Sequence, residues 1–150
     1  MSENLEILAQ KAHALTKQRF GNTIKLYAPV YISNSCINGC LYCGFNSKNK
    51  FARCTLSATE VITEAKAIMA KGHKHLLLVA GEDPENVTVE LLEEIAHALK
   101  PDAASLTVEV QPLNENGYKR LVKAGIDGVT LYQETYNENT YKKMHPHGPK

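Results

Sequence analysis

The stretch Lys25-Leu-Tyr-Ala-Pro-Val-Tyr-Ile-Ser-Asn-Ser-Cys36-Ile-Asn-Gly-Cys40-Leu-Tyr-Cys43 runs from an apolar segment straight into three cysteines. Its first part is rich in β-branched and aromatic residues and reads as a strand that ends near Ile32. The cysteines then follow on one loop with the spacing Cys-x3-Cys-x2-Cys. Thiols this close, in a chain with no secretory signal, favour metal or redox chemistry over a disulfide framework. Structural zinc needs a fourth ligand and usually pairs two short knuckles, whereas the nearest candidates here are Cys54 and His73. A four-iron cluster fits better. Closed iron–sulfur sites take four cysteines, so three on a compact loop leave one iron open to a small molecule. Cys54 reads as a spare thiol.

Outward from this loop the chain alternates helical and strand periodicity, the pattern of parallel strands joined by crossover helices. A helix over 5–20 stops near Gly21 and leads into a strand over 23–32. Ser57 with Glu60 three residues on is a capping box, starting a helix that runs to about 70, with Gly72 as its stop and Val61, Ala65, Ile68 and Met69 as its apolar stripe. The run Leu76-Leu77-Leu78-Val79 lies within a strand over 75–80 of the kind buried on both faces. Further helices are expected over 88–99, 114–124 and 138–144, and further strands over 105–110 and 129–132. The polar clusters Gly81-Glu82-Asp83, Gln111-Pro112 and Gln133-Glu134-Thr135-Tyr136 all follow strands, on the edge where parallel α/β folds build their sites. A doubly wound sheet and a barrel both obey that rule. No glycine-rich phosphate loop follows the first strand, which weighs against a dinucleotide site.

Charge is nearly balanced, with 17 basic and 16 acidic residues, and 43% of residues are hydrophobic. Neither a nucleic-acid patch nor an acidic tail is visible, and Lys48, Lys50 and Arg53 read as a solvated loop. No apolar run approaches the roughly 20 residues that span a bilayer. No membrane or nucleic-acid partner is expected, and missing signals together with an oxygen-sensitive cluster suggest the cytoplasm.

The cysteine spacing, with Tyr42 before the last cysteine, resembles the signature of the radical S-adenosylmethionine (SAM) superfamily. The resemblance covers nearly the whole chain. Gln18-Arg19-Phe20-Gly21-Asn22-Thr23, Leu26-Tyr27-Ala28-Pro29-Val30-Tyr31-Ile32-Ser33-Asn34 and Cys43-Gly44-Phe45-Asn46 are similar to its aromatic-amino-acid lyase branch. Within that branch, Val108-Glu109-Val110-Gln111-Pro112-Leu113 and Tyr132-Gln133-Glu134-Thr135-Tyr136 resemble the 2-iminoacetate synthases of thiamine biosynthesis. The tyrosine lyases that mature iron-only hydrogenase share the latter run and the closing His145-Pro146-His147-Gly148-Pro149-Lys150 pattern.

This resemblance implies a partial TIM-type (β/α) barrel of about four βα units, with residues 1–22 as a preceding helical segment and 23–150 as the first half of the barrel. It implies a 4Fe-4S cluster on Cys36, Cys40 and Cys43, with SAM chelating the open iron and cleaved to a 5′-deoxyadenosyl radical. Tyr42, Gly81, Glu82, Glu109 and Glu134 would hold SAM, Glu82 accepting from its ammonium in the place of a Gly-Gly-Glu element that reads Ala80-Gly81-Glu82 here. Gln133 and Tyr136, with Gln111, would face the substrate, tyrosine, whose Cα–Cβ bond breaks to give 2-iminoacetate and 4-methylphenol. A flavodoxin- or ferredoxin-type electron donor and thiazole synthase are the implied protein partners. His145 and His147 read as part of a loop rather than a metal tract.

A full barrel takes about 250 residues, and this sequence supplies four strands, so the remaining units are expected from elsewhere. A half barrel on its own would expose sheet edges and one side of its core, predicting poor solubility or pairing with another chain. Beside the lyase, two readings stay open: a cluster- or SAM-binding fragment without turnover, and a zinc-stabilised interaction module.

Overall fold

A computed structural model describes residues 3–150; the first two residues of the expected 1–22 segment lie outside the described residues. The elements run α1 (Glu3–Phe20), β1 (Ala28–Ser33), α2 (Ala58–Ala70), β2 (His75–Ala80), α3 (Val89–Leu99), β3 (Ser105–Glu109), α4 (Glu115–Ala124), β4 (Gly128–Val129) and α5 (Glu138–Met144). The four strands form one parallel sheet in the order β1-β2-β3-β4, so each strand pairs with the next in sequence through a crossover helix. This is an α/β fold with four βα units.

Local chemistry sets the helix ends. Ser57 accepts from the Glu60 N–H while the Glu60 carboxylate takes the Ser57 N–H at 2.8 Å, completing the capping box that starts α2. Thr88, Asn114 and Asn137 cap α3, α4 and α5 through their side-chain oxygens. Gly125 closes α4 at φ +102°, a left-handed conformation that side chains resist.

The sheet has two unlike faces. Val30 and Ile32 of β1, Leu76 and Leu78 of β2, and Leu106 and Val108 of β3 pack with Val61, Ala65, Leu92, Ile95, Leu99 and Leu121 of the helices in one core. Full burial of each large member contributes about 1.5–3 kcal/mol. Alternate residues turn the other way, and the register aligns Tyr31 with Val79 and Val79 with Glu109 across that second, concave face. The apolar run in β2 is explained by this arrangement, since Leu77 is buried on the concave side while its neighbours enter the core.

Three expected boundaries shift. β1 begins at Ala28 rather than 23, and Ile24, Leu26 and Tyr27 are exposed, because the pairing with β2 starts only at Ala28 opposite Leu76. β3 stops at Glu109, one residue short of the expected 110. β4 keeps two ladder residues instead of the four expected over 129–132, since β3 offers it only Thr107 and Val108 as partners. α1 forms as expected, but it is exposed at every residue whose burial is described.

Asp127 ties the base of the sheet together. Its carboxylate accepts from Lys100 Nζ at 2.7 Å and from the Leu106 N–H at 2.8 Å, and these two donors, the lysine first, hold its pKa below the ordinary aspartate value. A depressed folded-state pKa gives stability that is present above the unfolded value, about 3.9, and is lost as the pH falls through the folded one. The pair is partly exposed, so Asp127→Asn should lower stability by about 1 kcal/mol or less at neutral pH. The gap between variant and unaltered chain should close below about pH 4, as read from urea midpoints across pH.

Candidate functional site

At the C-terminal ends of the strands lies a cavity of about 700 Å³. Its wall is built by the cysteine loop after β1 and by the segments following β2, β3 and β4, together with Pro149 and Lys150. The chain thus brings Cys36, Cys40, Cys43, Tyr42, Gly81, Glu82, Glu109, Gln133 and Glu134 to one place. Gln111 lines the cavity too, with its amide nitrogen donating to Val87 O at 2.7 Å. Tyr136 stands apart from this group, 91% exposed and outside the cavity wall. Gln133 spends its amide on the Thr135 carbonyl at 3.2 Å, and Glu134 sits at φ +64°, a left-handed turn that aims this segment back over the strand ends.

The loop is fastened at its neck. The Asn34 N–H donates to Cys54 O at 3.1 Å, the Cys54 N–H returns to Asn34 Oδ1 at 2.7 Å, and Ser33 pairs with Thr55. Arg53, expected to be solvated, is instead a clasp. Its guanidinium donates to the carbonyls of Asn34, Phe45, Asn46 and Asn49 at 2.6, 2.9, 2.7 and 3.2 Å and lies 3.9 Å from the centroid of the Phe51 ring. Four carbonyls of an irregular loop thereby find a donor, which a lysine's point charge cannot reproduce. Arg53→Ala should cost roughly 2–4 kcal/mol, Arg53→Lys should recover little of it, and residues 44–52 should become protease-sensitive; urea denaturation and limited proteolysis read both.

Asn38 is the second fastening, and nothing but its place between two cysteines marks it in the sequence. It is buried, its side-chain amide donates to Glu82, its N–H points to Cys36 Sγ at 3.4 Å, and its Oδ1 accepts the Lys150 N–H at 3.0 Å. Across from it, β2 and the loop approach as closely as backbones can. A Cβ on Gly81 would stand 2.2 Å from Ser35 O and 2.8 Å from Cys36 Cβ. The close approach therefore falls on Gly81, and Ala80 is accommodated beside it. The Glu82 N–H points to Cys36 Sγ at 3.4 Å, and Glu82 O accepts the Ile37 N–H at 2.9 Å.

Electrostatics follow from this crowding. Burial pushes the Cys40 thiol up; Lys150 opposes the shift, and the nearby Cys43 and Cys36 add to it. Burial likewise raises Glu109, with Lys150 again opposing and Glu134 adding. The Tyr42 hydroxyl is held far above its ordinary value, by burial first and then by the Cys40 thiol and the Glu134 carboxylate, so it remains a donor. Lys150 Nζ lies 3.4 Å from Glu134 Oε1, a cation among the cavity's carboxylates.

The residues fit a four-iron cluster. All four cysteines are free, and the three of the loop line one cavity while Cys54 is exposed and outside its wall. Two backbone N–H groups already point at Cys36 Sγ, the kind of contact that tunes cluster sulfurs. Among the described residues no three His, Cys, Asp or Glu side chains converge on a point that would hold a single metal ion. Thiolates that ligate separate irons need no common point. Among the described residues no helix is long and apolar enough to cross a membrane.

Comparison with known proteins agrees with this geometry. Residues 30–150 match the family model described as the Radical SAM superfamily. The chain is 47% identical over 146 residues to 2-iminoacetate synthase of Escherichia coli (strain K12), covering 97% of this chain and 39% of that protein. It is 44% identical to 2-iminoacetate synthase of Salmonella typhimurium, covering 99% of this chain and 40% of that one. The chain therefore spans about 40% of the length of these relatives. The X-ray structure of the FeFe-hydrogenase maturase HydG from Carboxydothermus hydrogenoformans superposes with a TM-score of 0.86 at 41% identity, over 99% of this chain and 36% of that one. The four βα units are thus part of a TIM-type barrel, and by fold, cysteine loop and sequence the chain belongs to the radical SAM superfamily.

Proposed function

We propose that this chain supplies the cluster- and SAM-binding units of a radical SAM lyase of the 2-iminoacetate synthase type, which cleaves the Cα–Cβ bond of tyrosine for thiazole synthesis. The observation that carries the reading is the convergence of Cys36, Cys40 and Cys43 with Glu82, Glu109 and Glu134 around one cavity. When bound, the cluster would supply the one-electron chemistry that converts SAM to a 5′-deoxyadenosyl radical. The three cysteine thiolates are the ligands. Tyr42 offers its ring to the adenosyl part, and Gly81 lets the strand end approach the loop. Glu82, Glu109 and Glu134 present carboxylates to the ribose hydroxyls and to an ammonium. Gln133, on the cavity wall, would face the substrate, and Tyr136, exposed outside that wall, would join it only where further barrel units supply the other side. A flavodoxin- or ferredoxin-type donor delivers the electron, and thiazole synthase takes the product.

A second reading, the hydrogenase-maturation tyrosine lyase, is supported by the HydG superposition. The resemblance of Val108-Glu109-Val110-Gln111-Pro112-Leu113 to the synthases favours the first. The test is anaerobic reconstitution with iron and sulfide, followed by electron paramagnetic resonance of the reduced protein with and without SAM. A four-iron signal that changes with SAM is expected, and 4-methylphenol should form from tyrosine once the rest of the barrel is supplied. A cluster blind to SAM would remove the lyase reading and leave a fragment that only carries metal.

A further inference from the structure

The segment after α5 does not leave the site; it lies across the cysteine loop. The Leu41 N–H donates to Met144 O at 2.9 Å, the Gly39 N–H to His147 O at 2.8 Å, and the Lys150 N–H to Asn38 Oδ1 at 3.0 Å. The two segments touch as closely as they bond. A Cβ on Gly39 would meet His147 Cβ at 2.9 Å, and one on Gly148, at φ +96°, would meet Asn38 Oδ1 at 2.2 Å.

His145 is the centre of this contact and is only 7% exposed. Its Nδ1 lies 2.8 Å from the Tyr141 carbonyl, which can only accept, so Nδ1 carries the proton. In the neutral imidazole Nε2 is then the acceptor, and it faces the Tyr42 hydroxyl at 2.6 Å. The ring is packed by Tyr141, with centroids 4.1 Å apart, and meets the Tyr42 ring edge-on at 5.4 Å. Both nitrogens of the imidazole are therefore used, and one of its faces is packed by Tyr141. Tyr42, between two of the cysteines in sequence, has its hydroxyl set by a residue 103 positions away.

We propose that residues 144–150 are a strap that holds the cysteine loop in its ligating shape, and that His145 is a positioning residue which, through Tyr42, sets how SAM seats beside the cluster. His145 itself is not part of the cavity wall. The inference rests on the site being a cluster and SAM site.

The experiment compares the unaltered chain with Tyr42→Phe, His145→Phe, His145→Gln and the Tyr42→Phe/His145→Phe pair, each reconstituted anaerobically and titrated with SAM by electron paramagnetic resonance. Iron and sulfide content are measured alongside, and hydrogen exchange of the Gly39 and Leu41 amides is followed in the metal-free chain. Tyr42→Phe and His145→Phe should each weaken the SAM-dependent signal about tenfold at unchanged iron content, and the pair no further. His145→Gln keeps an acceptor near the Nε2 position and should recover most of the loss. Tyr42→Phe removes one oxygen and keeps the ring, so it decides the matter even if His145→Phe folds poorly; an unchanged titration in Tyr42→Phe overturns the positioning role. A chain that, unaltered, ignores SAM overturns the proposed function instead. The amides still test the strap in that case, which is overturned if they exchange as fast as those of the exposed 22–26 segment.

Discussion

Replacing Cys36, Cys40 or Cys43 singly by alanine should abolish stable cluster binding. Two remaining thiolates cannot hold a cube of four irons, and Cys54, the remaining cysteine, is exposed and lies outside the cavity wall. Loss of a group that merely hydrogen-bonds a ligand costs about 10- to 100-fold in metal affinity, so loss of a ligand itself should cost more than about 100-fold. Iron and acid-labile sulfide per chain, measured after desalting, give the answer, with circular dichroism reporting that the fold survives. Survival is expected, because the loop that carries the cysteines is fastened chiefly by Arg53, Asn38 and the 144–150 strap. Cys54→Ala is the matched comparison. Cys54 is exposed and joins the loop neck only through its backbone, so its removal should leave iron content unchanged. A full cluster in any one of the three loop variants would show that the thiolate assignment is wrong.

Gly81→Ala should be nearly as damaging, by a different route. The added carbon would meet Ser35 O at 2.2 Å, Cys36 Cβ at 2.8 Å and Ser35 C at 3.0 Å. None of these is the far end of a flexible side chain, so relief requires β2 and the loop to move apart. Separation would stretch the Ile37 N–H bond to Glu82 O and pull the Glu82 N–H away from Cys36 Sγ. Overpacking of this kind costs about 1–3 kcal/mol and sometimes more, and the upper end applies where backbone must yield. The expected result is a loss of about 3 kcal/mol in urea denaturation together with poor retention of iron. A variant with unaltered midpoint and full iron would mean that the strand and loop are not held as close as described.

Much of the scaffold was legible because its signals are local. The capping box fixed the start of α2, and the continuous apolar run placed β2 at its observed bounds, since a strand between two neighbours needs no alternation. The cysteine spacing likewise lies within eight residues and points to its own chemistry. What escaped depends on partners distant in the chain. Ile24, Leu26 and Tyr27 have strand composition, yet a strand exists only where a neighbour supplies hydrogen bonds, and β2 begins opposite Ala28. Arg53 looked like one more loop cation, because four carbonyl acceptors converge only after the loop has folded. His145 stood out as part of a His-Pro-His run, but the atom it serves belongs to Tyr42, which no periodicity connects to it.

The order in which these contacts become available has a consequence for assembly in the cell. Each strand pairs with the next in sequence, so the sheet can grow as the chain emerges, whereas the strap reaches the cysteines only after roughly a hundred further residues. At about 5–20 residues per second, that delay lasts roughly 5–20 s. During it the three thiols have emerged without the His145 segment that fastens their loop, an interval in which iron and sulfide can reach a loop not yet held in shape.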